Sequence, residues 1–212
     1  SFIMKLPFLF LLLLLSGCHS DNDTSFSSLN MKQQQVINSC LSCHSQGQKS
    51  GAPRLEGLEG WYMEEQVESF YQGKRGTDVA NKEANLMHNA VKLFKEDELY
   101  MAVEWFAAQK KPTENLTVIG NATAGAKLYK DNCFRCHNSF MGKMMTRSPE
   151  LSTYDDWYLL AQLKKFDTGL RGNNEKDGHG NKMRLAIQGK YQDQDFKDII
   201  AFLKSKQSSN LK

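Results

Sequence analysis

Sliding the sequence against itself by 96 residues places Trp61-Tyr62 on Trp157-Tyr158, Gln66 on Gln162 and Phe70 on Phe166. Gly73, Arg75 and Gly76 fall on Gly169, Arg171 and Gly172, and Pro53 and Leu55 fall on Pro149 and Leu151. Further on, Met87 meets Met183, Ala90 meets Ala186, Asp97 meets Asp193 and Phe106 meets Phe202. One long period repeated once is a tandem duplication of a folding unit, not a solenoid of many short repeats. Whatever one unit folds into, the 212-residue chain contains it twice. Units of roughly 100 residues have modest cores.

Each unit opens on the same spacing, Cys40-Leu41-Ser42-Cys43-His44 and Cys133-Phe134-Arg135-Cys136-His137. These align at a shift of 93, so the second unit has three extra residues between His137 and Trp157. C-x-x-C-H is the attachment signature of c-type haem. Two thiols three residues apart can add to the two vinyl groups of one porphyrin, and the adjacent histidine then lies under the iron as proximal axial ligand. A redox C-x-x-C pair or half of a zinc site uses the same cysteines. One copy would leave those readings open; two copies, each followed by matching sequence, favour two haem c groups, His44 and His137 binding iron. Four of the five cysteines are then used, and the fifth, Cys18, follows a hydrophobic leader, so none is left for a disulfide.

The sixth iron ligand is sought among methionines and the remaining histidines, His88 and His179. Met87 and Met183 are the methionines after the haem motif that align between units, each expected in a loop before a last helix. Methionine is also a good core filler, but equivalence across the repeat favours ligation. A thioether stabilises ferrous iron and raises the potential, which suits an electron carrier. His88 and His179 have no counterpart in the other unit and read as surface or loop residues, with bis-histidine ligation the lesser alternative. Pro53 and Pro149 could present carbonyls that fix the axial imidazoles. Arg75 and Arg171 could pair with haem propionates. Trp61 and Trp157 could pack on the porphyrin or fill the core.

The fold class expected is all-α. First helices are expected over Gln33–Ser39 and Thr123–Asn132. Middle helices carry Met63, Val67 and Phe70, then Leu159, Leu163 and Phe166, at helical spacing. Final helices carry Leu99, Val103 and Phe106, then Phe196, Ile199, Ile200 and Leu203, with acidic residues crowding the first turn as the helix dipole favours. The domain reading is 1–17 signal peptide, 18–30 flexible tether, 31–109 first domain, 110–122 linker, 123–206 second domain and 207–212 tail. Hydrophobic content of 40% argues against wholesale disorder, and a net charge of +3 names no nucleic-acid partner.

Lys5 and the apolar run Leu6–Leu15 look like an export signal. The run is about half the length a membrane span needs. Leu15-Ser16-Gly17-Cys18 resembles a bacterial lipobox, which implies lipidation of Cys18 and anchorage to a membrane. In lipoproteins sorted like those of enteric bacteria, a residue such as His19 after the cysteine points to the outer membrane.

Two C-x-x-C-H units, each followed by proline, Tyr-x-x-x-Gln, Phe-x-x-Gly-x-Arg and methionine, resemble the dihaem cytochrome c4 family over about Met31 to Lys206. The resemblance implies two class I cytochrome c domains with closely spaced haems. It implies a periplasmic electron carrier in a Gram-negative bacterium, between a donor such as a quinol-oxidising complex and an acceptor such as a cbb3-type oxidase. The lipobox and the Met-rich, basic stretch Asn138–Ser148 depart from the family pattern. Lys32–Lys110 carries 9 basic and 11 acidic residues, or −2, and Ala122–Lys206 carries 15 and 10, or +5. Such asymmetry either steers different partners to the two halves or belongs to two ordinary solvated surfaces. Competing functions are an electron-transfer subunit of a larger membrane-bound redox complex and a dihaem peroxidase, which would need an openable iron site.

Overall fold

The structure is a computed structural model that describes residues 25–138 and 140–209; every regular element among them is helical, as the all-α expectation requires. The signal peptide, Cys18 and the first part of the tether lie outside the described residues. The first unit comprises α1 (Met31–His44), α2 (Gly60–Tyr71), α3 (Lys82–Val91) and α4 (Glu96–Ala108). The second comprises α5 (Ala122–Leu128), α6 (Phe134–His137), α7 (Phe140–Thr146), α8 (Asp156–Asp167), α9 (Gly178–Ile187) and α10 (Asp193–Ser209).

Helix α1 begins where its sequence tells it to. Asn30 accepts from Gln33 N, and the Gln33 side chain accepts from Asn30 N, so two orphan donors of the first turn are satisfied together. The helix runs unbroken through the motif to His44, past the expected end at Ser39. Its second copy is interrupted. After α5 the chain widens into a π-helical turn, Tyr129–Cys133, before α6. That turn drives Tyr129 into the core, 2% exposed, with its ring 5.4 Å from Phe202.

The middle and final helices bury the faces their spacing marks: Met63 and Phe70, Leu159 and Phe166, then Leu99, Val103 and Phe106, and Phe196, Ile199, Ile200 and Leu203. Each contributes about 1.5–3 kcal/mol by leaving water. Helices α5 and α10 cross very closely because residue 125 is glycine. A Cβ there would sit 1.8 Å from the backbone oxygen of Asp198.

Two expectations need correction. Met87 and Met183 lie on α3 and α9, not in loops. Ala84, Met87 and Val91 share a helical face, and Asp177 caps α9 by accepting from Gly180 N. Part of the expected tether is packed: Phe26 and Leu29 lie on the core, the Phe26 ring 6.0 Å from Trp105. The linker is strapped down: Asp156 accepts from Thr117 N and Val118 N at 2.5 and 2.6 Å, and Glu114 pairs with Lys204 at 2.7 Å.

The two units share one core. A continuous cluster runs from Val36, Ile37 and Phe106 through Tyr154 and Leu159 to Ile200 and Leu203. Arg54 of the first unit grips Asp155 of the second, a carboxylate only 3% exposed.

Candidate cofactor site

The two motif histidines are buried, 9% and 6% exposed for His44 and His137. Each ring is held at Nδ1. That of His44 donates to the carbonyl of Pro53 at 2.6 Å, and that of His137 donates to the carbonyl of Pro149 at 3.0 Å. A carbonyl only accepts, so Nδ1 carries the proton and Nε2 keeps its lone pair. Burial pushes the pKa of both rings below the ordinary histidine value, favouring the neutral, coordinating form, although the proline carbonyls act the other way. Both proline carbonyls are thus placed to hold the ring and its tautomer.

Burial also raises Cys40 and Cys133 to about 11. A redox C-x-x-C pair needs a depressed thiol, so these sites are unlike one. Among the described residues no group of three or more His, Cys, Asp or Glu is placed to hold a metal ion.

Beside the motif in the first unit lies an open groove, lined by Met31, Gln34, Gln35, Asn38, Ser39, Ser42 and Cys43 of α1 and by Ala90, Leu93 and Phe94. Leu86 and Leu93 stay 68% and 80% exposed. Met87 packs beside Phe70, Ala84 and Val91, and Met183 beside Phe166, Ile187 and Phe196. The repeat thus places both methionines in equivalent surroundings. His88 is not the surface histidine expected: it is half-buried, and its Nδ1 donates to the carbonyl of Phe70 at 2.6 Å. His179 is exposed on the first turn of α9.

Arg75 and Arg171 sit at the boundary between the units, in Gly-x-Arg-Gly turns whose last glycine is obligatory. Gly76 and Gly172 have φ of 86° and 77°, and a Cβ on either would meet a backbone oxygen at 2.3 or 2.2 Å. Each guanidinium lies over its own unit's phenylalanine, Phe70 at 4.4 Å and Phe166 at 4.5 Å. Each donates across the boundary as well, Arg75 to Gln162 at 3.2 Å and Arg171 to Gln66 at 3.1 Å. Burial and the neighbouring Arg171 lower the pKa of Arg75. Both Nε atoms are buried without a hydrogen-bond partner, and neither arginine has an ion pair among the described residues. A buried and a half-buried guanidinium side by side, each with a spare Nε donor, suit an anionic group such as a propionate. The residues present fit haem c in kind: each unit has two thiols, a buried and oriented imidazole and a matched thioether, and the boundary has guanidiniums with spare donors.

The tryptophans also belong to the boundary. Trp61 is 37% exposed and lies under Arg147 at 5.6 Å, while Trp157 Cζ2 is 4.0 Å from where a Cβ on Gly47 would stand. Nothing in the local sequence marked Glu59, Asp155 or Arg147 as boundary residues; their partners are 82 to 101 positions away.

Residues 122–207 match the cytochrome c family. Cytochrome c domains hold a haem c, and the match covers the motif at Cys133–His137. The fold is shared with cytochrome c4 of Acidithiobacillus ferrooxidans at a TM-score of 0.59 and 23% identity, over 79% of this chain and 99% of that one. It is shared with reduced recombinant cytochrome c4 from Pseudomonas stutzeri at 0.59 and 20% identity, over 81% and 95%. Thiosulfate dehydrogenase from Marichromatium purpuratum aligns at 0.59 and 21% identity over 87% of this chain, which spans only 42% of that larger one. A search of curated proteins found no match.

Proposed function

We propose that this chain is a dihaem c-type cytochrome that carries electrons, with a haem c in each unit. The observation that carries the reading is the repeated proximal device, a buried C-x-x-C-H histidine donating Nδ1–H to a proline carbonyl, present in both units. When bound, the haem irons supply one-electron ferric/ferrous couples. Cys40 and Cys43, and Cys133 and Cys136, would hold the porphyrins covalently; His44 and His137 would bind iron through Nε2; Met87 and Met183 would complete the axial sets. Arg75 and Arg171 would neutralise propionates at the boundary. The chain's own contribution is to bury the rings, fix the tautomers and hold both sites on one rigid core, so that little reorganises when an electron arrives.

On this reading the carrier works in the periplasm, tethered to a membrane through a lipid on Cys18, and passes electrons from a quinol-oxidising donor to a terminal oxidase. The leader Leu6–Leu15 and the lipobox-like Leu15–Cys18 support the location. A second reading, an electron-transfer module of a larger redox enzyme, draws on the likeness to a thiosulfate dehydrogenase more than twice as long. A dihaem peroxidase is disfavoured by the equivalent placement of Met87 and Met183.

A spectroscopic redox titration of purified holoprotein tests the proposal. Two haems per chain are expected, both showing the methionine–iron charge-transfer band when oxidised and neither binding carbon monoxide when reduced. A high-spin ferrous haem that binds carbon monoxide readily would overturn the pure-carrier reading.

A further inference from the structure

The peptide group between Pro149 and Glu150 is hydrogen-bonded at both ends. Its carbonyl accepts from Nδ1 of His137 at 3.0 Å, and its N–H, that of Glu150, donates to Oε2 of Glu59 at 2.6 Å. Glu59 belongs to the other unit, at the residue before α2. The repeat-related peptide, between Pro53 and Arg54, is built the same way: its carbonyl accepts from His44 Nδ1 at 2.6 Å, and its N–H donates to Oδ2 of Asp155 at 3.4 Å. At the shift of 96, Glu59 falls on Asp155 and Arg54 on Glu150. Each unit thus lends a carboxylate to the peptide that holds the other unit's histidine.

A peptide is a conjugated dipole. Negative charge at its N–H end increases the electron density on its carbonyl oxygen, and hydrogen bonds in such a chain strengthen one another. A stronger pull on Nδ1–H makes the imidazole more basic at Nε2, and a more basic axial ligand favours ferric iron. The two copies differ at the carboxylate end, while the Nδ1 bond itself is the shorter one in the first unit. Asp155 is also gripped by the guanidinium of Arg54, whose Nε lies 3.1 Å from Oδ1, so much of its charge is compensated. Glu59 has no ion pair among the described residues, and its bond to the peptide is shorter.

We infer that Glu59 is a positioning residue that acts across the unit boundary, through the Pro149–Glu150 peptide and His137, to lower the reduction potential of the second unit's iron. Asp155 has the same role for the first unit in weakened form. The inference rests on the haem ligation proposed above.

The test uses full-length holoprotein. Haem content is measured as pyridine haemochrome, both potentials by spectroelectrochemistry, and each potential is assigned to its unit through Met87→His and Met183→His variants. Glu59→Gln keeps an acceptor for Glu150 N but removes the charge. It is expected to shift the second unit's redox equilibrium about tenfold toward ferrous iron, about 59 mV for one electron, with the first unit's potential unchanged. Glu65→Gln removes the same charge from the first two turns of α2, just after Glu59, where it pairs with Arg147. It is expected to give less than a third of that shift. Glu59→Asp, which keeps the charge on a shorter arm, is expected to fall between wild type and Glu59→Gln. With two haems bound, an unmoved potential in Glu59→Gln, or an equal shift in Glu65→Gln, overturns the relay alone. Fewer than two haems in the wild-type chain overturns the ligation reading and this inference with it.

Discussion

At the residue scale, the chemistry rests on a few side chains whose tasks are separable. If Met87 and Met183 are axial ligands, replacing either by His lowers one haem's potential and leaves the other nearly unchanged, because imidazole stabilises ferric iron relative to a thioether. Two independent waves in spectroelectrochemistry check this; two waves moving together would refute independent sites. Lys111 gives a prediction in pH. Burial, with Lys204 close by, lowers its pKa to about 8 from 10.5. The folded state therefore disfavours the charged form. Stability is lost as pH falls from near 10.5 toward 8 and is flat, as far as this group goes, below 8. Lys111→Met is expected to raise the denaturation midpoint at pH 7 and to flatten the slope between pH 8 and 10.5. The motif cysteines and histidines, and the prolines and methionines that recur with them, were legible in the sequence because short spacing and recurrence mark them. The tasks of Glu59 and Asp155 were not, because a carboxylate's partner 91 or 101 residues away leaves no local trace.

At the scale of elements, helical spacing located the helices whose apolar faces are long enough to show a period. It misplaced the methionines because α3 and α9 are only 10 residues each and are rich in polar residues. Caps and a few buried positions suffice to fold such helices, and these resemble loop composition. The π turn at Tyr129–Cys133 was equally hidden: it costs an extra residue per turn and is favoured by the burial of Tyr129, a tertiary gain. The α5–α10 crossing yields a sharp prediction. Gly125→Ala would push a methyl group into the backbone of Asp198, so it is expected to destabilise the fold by about 3 kcal/mol, the upper part of the range for overpacking. A guanidinium titration of holoprotein reads this as a lower midpoint with unchanged slope.

At the scale of the whole molecule, the two units do not behave as beads on a string. The shared core, the Arg54–Asp155 grip and the crossed Arg75 and Arg171 bonds make the boundary part of the fold. One cooperative unfolding transition is expected, with haem absorbance and tryptophan fluorescence giving coincident curves. Two resolved transitions would show that the units fold separately. The sequence by itself determined that one helical unit occurs twice, where each haem would attach, and which histidines and methionines are matched. These are carried by local spacing and by recurrence at a fixed shift, which a linear string records fully. Only the tertiary structure decided that the linker is strapped down, that Arg75 and Arg171 face each other's unit, and that Glu59 and Asp155 reach the peptides holding the opposite histidines. Those contacts depend on the relative placement of two cores, and that placement comes from surface burial and long-range hydrogen bonds with no period along the chain.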